Sequence, residues 1–246
     1  MPLVSPPPPR VQQPELIDSV EPPEHDFAAA FGDIARVNRF LGGTRAVVGA
    51  LDGIFGSLAP SSRPVTMLDL ATGSADIPRA IVRAARRGRW GDRTVRVTAA
   101  DNHPKVLALA RRLCQGYPEI TVEHADVFAL PHADDAFDIV LCSMAFHHFA
   151  TDGCVHVLRE MERIARVGFV VNDLVRDRTA RRLIWGLTRL LGANRLTRHD
   201  APLSVLRAFT LPEYEQMVRE AGISGCTVRA VPFYRAVIVR SHLESP

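Results

Sequence analysis

Lysine is almost missing from this chain: of its 30 basic residues, Lys105 alone is lysine. Arginine supplies the positive charge, and 27 acidic residues reduce the net charge to +3. There is no basic stripe interleaved with aromatics, so a nucleic-acid partner is not expected. The Arg- and Ala-rich composition points instead to a GC-rich genome. Cysteine is sparse as well. Cys114, Cys142, Cys154 and Cys226 are widely spaced with no Cys-x-x-Cys pair. This argues against a zinc ribbon or a disulfide framework and suits reduced thiols in a cytoplasmic protein. No apolar run is long enough to span a bilayer, and no signal-peptide core is visible. There is no Gly-x-Ser-x-Gly elbow, so a serine hydrolase is not expected. What remains is a chain of 246 residues, 47% apolar, large enough to bury the core of one α/β domain.

The informative stretch is Val65 to Arg83. Val65 to Leu70 is a short apolar run with the character of a buried parallel strand. Ala71 to Ala75 are all small. Pro78 then stands near the start of a helix, where its missing N–H costs little. A small-residue turn between a strand and a helix N-terminus lets a ligand approach backbone N–H groups directly, as nucleotide sites require. The turn holds one glycine, Gly73, where a dinucleotide fold would show Gly-x-Gly-x-x-Gly. Its alternate positions instead read Asp69, Ala71, Gly73, Ala75.

That pattern resembles the first motif of class I S-adenosylmethionine (SAM) dependent methyltransferases, Asp/Glu-x-Gly-x-Gly-x-Gly, with alanine for two of the three glycines. Leu68-Asp69-Leu70-Ala71 resembles the variant of the ubiquinone/menaquinone-biosynthesis (methyltransferase type 11) members. The resemblance implies a Rossmann-like, seven-stranded, mostly parallel sheet with helices on both faces, a C-terminal antiparallel hairpin and an N-terminal helical cap. It also implies SAM as cofactor, with S-adenosylhomocysteine as product. Asp69, Ala71, Thr72 and Gly73 would then line the donor site.

Later segments continue the likeness. Val95 to Ala100 reads as the second strand and ends at Asp101-Asn102. A carboxylate there can accept from both ribose hydroxyls; it can also cap the helix from Pro104, and one residue can do both. After a third strand, Asp126 matches the family residue that accepts from the adenine amino group, and Val127 follows with its N–H beside the ring. The fourth strand ends at Ser143, another expected cofactor contact. Met144 to Phe149 follows, in the loop that faces the transferred methyl in this family. Its His147 and His148 are candidate general bases, since imidazole titrates near neutrality, although such a pair can also pack or cap a helix. His199, beside Asp200, is a third candidate. Asn172-Asp173 fall at the end of the fifth strand. No metal-ligand cluster is visible in the spacing, so no metal is expected.

Residues 1–24 hold seven of their prolines between Pro6 and Pro23 and read as a disordered leader. Residues 25–246 read as a single domain, with 25–60 as the cap. Phe27, Phe31, Ile34 and Val37 recur at helical spacing there, and Asn38 and Arg45 are possible polar contacts. Met144, Phe146, Phe149, Leu203, Phe209 and Phe233 are expected around the mouth. The expected function is methyl transfer to a small hydrophobic or aromatic acceptor such as a phenol, a quinone precursor or a polyketide, at oxygen before carbon. The rival readings are a non-catalytic SAM-binding module and a nicotinamide-dependent oxidoreductase. A monomer or a homodimer is equally compatible with the sequence.

Overall fold

The computed structural model describes residues 6–19 and 22–242. Elements run in the order α1 (Leu16–Ser19), α2 (Glu24–Phe40), α3 (Gly43–Ser57), β1 (Val65–Leu70), α4 (Asp76–Arg86), β2 (Arg89–Asp92), β3 (Val95–Asp101), α5 (Pro104–Leu113), β4 (Ile120–His124) and β5 (Phe137–Ser143). A single 3₁₀ turn (Phe146–His148) leads to α6 (Thr151–Ile164), β6 (Ala165–Leu174), α7 (Arg178–Leu190), α8 (Arg195–Arg207), α9 (Leu211–Ala221), β7 (Cys226–Val231) and β8 (Arg235–Ser241).

Seven of the strands form one sheet in the order β4-β3-β1-β5-β6-β8-β7. Pairs among the first five are parallel, and β8 runs antiparallel to both β6 and β7. This is the sheet and terminal hairpin expected from the sequence. Successive side chains of a strand point to opposite faces. Leu68 and Leu70 therefore enter one core with Val140, Phe169 and the inner side of α6 and α9, while Met67 enters the other with Ile139, Val170, α3 and α4. Both faces are covered, which is why β1 is buried along nearly its whole length rather than alternating between buried and exposed. The β6–β8 contact is tight at Gly168, where a Cβ would lie 2.1 Å from the Arg240 carbonyl oxygen.

Chain direction across the sheet reverses between β1 and β5. From β1 the chain moves outward through β3 to β4, then returns to lay β5 on the other side. The loops at the C-terminal ends of β1 and β5 diverge there and leave a crevice, the usual ligand site of open α/β sheets. α2 lies over this crevice. α3, expected as part of the same cap, packs against β6, β8 and α4 instead.

The expectation of a disordered leader does not describe residues 6–19; positions 1–5 and 20–21 lie outside the described residues. Arg10 donates to the carbonyls of Arg207 (2.6 Å) and Phe149 (2.7 Å), with its guanidinium 3.8 Å from the centre of the Phe209 ring. The Val11 N–H donates to the Leu206 carbonyl at 3.1 Å, and Arg176 donates to the Pro8 carbonyl at 2.9 Å. The N–H groups of Leu16 and Ile17, at the start of α1, donate to Asp200. A proline-rich segment leaves its carbonyls unsatisfied locally. Arginines distant in sequence supply the missing donors, a complementarity that composition does not reveal.

Candidate active site

The crevice is a cavity of about 710 Å³, within the range of roughly 300–1,000 Å³ usual for small-molecule sites. One half is built on the β1–α4 turn. Ala71, Gly73 and Ala75 all have positive φ, at 51°, 56° and 55°. The three positions that carry glycine in the family motif thus keep a left-handed backbone even where two are alanine, at a cost of order 1–2 kcal/mol each. The Ala75 methyl is fully buried against Ala99, Ala110 and Cys114, away from the cavity. At Gly73 a Cβ would stand 3.2 Å from the Phe31 ring.

Asp69 is buried beneath this turn. Thr72 Oγ1 donates to its Oδ2 at 2.6 Å, while its Oδ1 is without a hydrogen-bond partner, as is the buried Ser74 hydroxyl. Burial lifts the Asp69 carboxyl to about 7, against the pull of Thr72. Asp101 closes the turn from β3, with Oδ2 accepting from the Gly73 N–H and Oδ1 from the His103 N–H, both at 3.0 Å. Asp69, Ala71, Thr72, Gly73, Asp101, Asn102 and Ser143 all line the cavity. So does Asn38; Arg45 is exposed and does not.

Sequence reasoning missed Arg235. Its side chain is 1% exposed and lines the same cavity, and Nε donates to the Leu41 carbonyl at 2.8 Å. Asn38 links it to Asp76: its Oδ1 accepts from Arg235 at 3.2 Å and its Nδ2 donates to Asp76 at 3.1 Å. Burial lowers the guanidinium to about 10, leaving it charged at neutral pH. Gly43 makes room for the pair, since a Cβ there would meet Asn38 Oδ1 at 2.5 Å. The Gly42-Gly43 break between the first two long helices was a visible signal of such a close approach.

The opposite half is apolar, walled by Phe27, Phe31, Ile34 and Val37 of α2 and by Leu183, Ile184 and Leu187 of α7. The α2 residues are those whose periodicity marked the helix; the contribution of α7 was not expected. Met144, Phe149 and Phe233 also line it, but Phe146, Leu203 and Phe209 are core residues rather than mouth residues.

The histidine pair stands on this wall. The His147 Nδ1 lies 2.7 Å from Asp173 Oδ1, and the His147 N–H donates to Asp173 Oδ2 at 3.1 Å. Burial would raise the Asp173 carboxyl, but the neighbouring His147 charge and hydrogen bonds hold it below the usual range. His148 Nδ1 lies 2.8 Å from Asp18 Oδ2. Glu15 of the leader, 4% exposed, approaches both rings. Burial pushes its carboxyl up to about 6, opposed by His148 and by the Ser204 hydroxyl. A convergence of three possible metal ligands was not expected from sequence spacing, because Glu15 lies 132 positions before His147.

Three candidates fall elsewhere. His199 is exposed and outside the cavity lining, with Nδ1 2.8 Å from Asp200. Asp200 lines the cavity but is engaged in holding the start of α1. Asp126 is exposed and caps its own turn, accepting from the Phe128 N–H at 2.9 Å, and Val127 is buried in the core. Neither lines the cavity. α8 continues through Pro202, with its N-cap supplied by Asn194 and its inner side buried.

Comparison with known proteins agrees with this picture. A family model described as a methyltransferase domain matches residues 67–168. A demethylmenaquinone methyltransferase of Thermus thermophilus is 36% identical over 94 residues, 38% of this chain and 40% of that protein. The match therefore spans less than half of the curated relative. Human N-acetylserotonin methyltransferase, solved in complex with SAM, superposes with a TM-score of 0.62 at 18% identity, over 89% of this chain and 56% of that one. A SAM-dependent methyltransferase from Aquifex aeolicus superposes at 0.56 with 14% identity, over 86% and 96%. Sheet order and the domain match over residues 67–168 make the chain similar to class I SAM-dependent methyltransferases. Among the described residues no helix is long and apolar enough to cross a membrane.

Proposed function

We propose that the chain transfers the methyl group of SAM to a small hydrophobic or aromatic acceptor, at oxygen in preference to carbon. The observation that supports this most directly is the division of one cavity into a polar half under the β1–α4 turn and an apolar half under α2 and α7. The polar half fits the donor. Asp69 Oδ1 and Ser74 Oγ are buried polar atoms in want of partners, and Gly73 presents bare backbone. Asp101 can accept from ribose hydroxyls while keeping its two backbone bonds, because each carboxylate oxygen has a second lone pair. Arg235 is a buried cation suited to the donor's carboxylate, with Asn38 orienting it.

The donor supplies an activated methyl on a sulfonium. The chain's own task is therefore to orient two ligands and exclude water, which can contribute roughly 7–11 kcal/mol. α2 covers the crevice for that purpose. An acceptor hydroxyl must also lose its proton, and the His147 and His148 imidazoles stand on the apolar wall where that hydroxyl would lie. Asp173 holds His147 through its ring nitrogen and its backbone N–H, fixing the orientation that a base requires.

A thermal-shift titration with SAM, S-adenosylhomocysteine and NADH tests the donor. A ligand at a hundredfold its Kd stabilises by about 2.7 kcal/mol. Both sulfur nucleotides are expected to raise Tm and NADH to leave it unchanged. Methyl transfer to a panel of phenols, lost in His147→Ala and His148→Ala, tests catalysis. Stabilisation by NADH alone would overturn the reading.

A further inference from the structure

Both histidines of the pair are arranged in the same way, and the proposed methyl transfer does not require this. Each offers Nδ1 to a carboxylate: His147 to Asp173 at 2.7 Å and His148 to Asp18 at 2.8 Å. In a neutral imidazole so held, Nδ1 carries the proton and the Nε2 lone pair is free. The two rings lie side by side with centroids 4.3 Å apart, and both Nε2 atoms turn to the same carboxylate. His147 Nε2 is 3.7 Å from Glu15 Oε1, and His148 Nε2 is 4.0 Å from Oε2. The three ligand atoms lie within 4.8 Å of one another. Glu15 is itself anchored, accepting from the Ser204 hydroxyl at 2.8 Å.

We infer that Glu15, His147 and His148 form a binding site for a divalent transition-metal cation. Two imidazole nitrogens and one carboxylate are the donor set of zinc-class ions, whereas magnesium and calcium prefer all-oxygen sites. Metal–ligand bonds of about 2.0–2.2 Å put tetrahedral ligands about 3.3–3.5 Å apart, so closure asks the ligand atoms, now within 4.8 Å of one another, to draw together by at most about 1.4 Å, within reach of side-chain rotation. Carboxylates on the far nitrogen of each ring are the outer-shell partners that metal-bound histidines ordinarily have. A cation would also neutralise a buried carboxylate whose guanidinium neighbour, Arg207, stands 4.0 Å away. All three residues line the cavity, so a fourth coordination position opens toward the ligand.

What that position does rests on the methyl-transfer reading: an acceptor oxygen would be held by the cation, because both Nε2 lone pairs are then occupied. Metal binding itself does not depend on that reading. The ion also joins the leader, through Glu15, to the 3₁₀ turn after β5.

The experiment is a titration of the untagged, chelator-treated full chain with Co²⁺, Zn²⁺ and Mg²⁺, read by cobalt ligand-field absorption and by calorimetry. One equivalent of Co²⁺ is expected to bind and be displaced by Zn²⁺, with Mg²⁺ ineffective. Glu15→Gln and His148→Ala should abolish the cobalt spectrum. Asp18→Asn should keep the spectrum and weaken affinity by about 10–100-fold. Unchanged cobalt binding in both ligand variants, or no stoichiometric binding by a chain whose thermal melt is intact, would overturn the site. Stabilisation by S-adenosylhomocysteine, measured on the same metal-free sample, separates the two conclusions. If it persists without metal binding, this inference falls and the methyl-transfer reading stands; if it is absent, the methyl-transfer reading falls whatever the metal does.

Discussion

Two buried aspartates on adjacent parallel strands have opposite fates. Asp138, at the start of β5, is 3% exposed and fully engaged. Its Oδ2 accepts from the Thr66 N–H at 2.9 Å, and Oδ1 accepts from Arg63 at 2.9 Å and from Arg166. Burial would raise its carboxyl, but the Thr66 N–H and the two guanidinium groups hold it below the ordinary value. Asp69, toward the end of β1, is 2% exposed, has one oxygen without a partner, and is lifted to about 7. The strand is the same kind of buried parallel strand at both ends. At the closed end the polar group is satisfied by the protein, so it contributes to the fold. At the open end satisfaction is left to a ligand, so the group costs the empty protein something.

The largest expected effect follows from removing the satisfied member. Asp138→Ala should destabilise by about 2–3 kcal/mol, the range for charge-assisted hydrogen bonds, and leave affinity for S-adenosylhomocysteine within about threefold once folded. Asp69→Asn should do the reverse. Tm of the empty protein at pH 8 should hold or rise, while calorimetry should show the ligand bound much more weakly. Loss of stability in Asp69→Asn comparable to that in Asp138→Ala would break the comparison.

The same contrast can be read by pH. The folded Asp138 value lies below its unfolded one, so its contribution is present at neutral pH and lost as pH falls through the folded value. The folded Asp69 value, about 7, lies above its unfolded one. Its cost is therefore full above pH 7 and disappears as pH falls toward 4, so the empty protein should gain stability on mild acidification. Denaturant melts between pH 8 and 5 should show that gain, and Asp69→Asn should remove it.

Two substitutions in the turn are smaller. Gly73→Ala places a Cβ at φ 56° and 3.2 Å from the Phe31 ring, and should cost about 1–2 kcal/mol, seen as lowered Tm and weaker S-adenosylhomocysteine binding. Ala75→Gly relieves left-handed strain but frees the unfolded chain and empties a methyl-sized space. These oppose, and the net change in Tm should correspond to less than about 1 kcal/mol.

Legibility in the sequence followed the range of the contacts. Asp69, Gly73 and Asp101 could be assigned to one site because each stands at the C-terminal end of a strand announced by local apolar pattern, and parallel strands bring such ends together. The capping box of Thr210 and Glu213 is local in the same way, its two members lying three residues apart. His199 was misplaced because the exposed side of α8 cannot be told from the buried side when Pro202 and many polar residues obscure the helical period. Asp126 stands outside the cavity lining because the turn after β4 leaves it exposed, a placement that its strand-end position does not reveal.

The chain by itself determined the strand–turn–helix, the order of acids along the sheet edge and the apolar stripe of α2, since these depend on periodicity and on neighbours a few residues away. Tertiary structure alone decided that Arg235 meets Asn38 across 197 positions. It also brought Glu15 to the histidine pair and gave the carbonyls of a proline-rich leader their donors. Those contacts join hydrogen-bonding groups whose partners are set by packing of whole elements, and no local pattern in the chain records them.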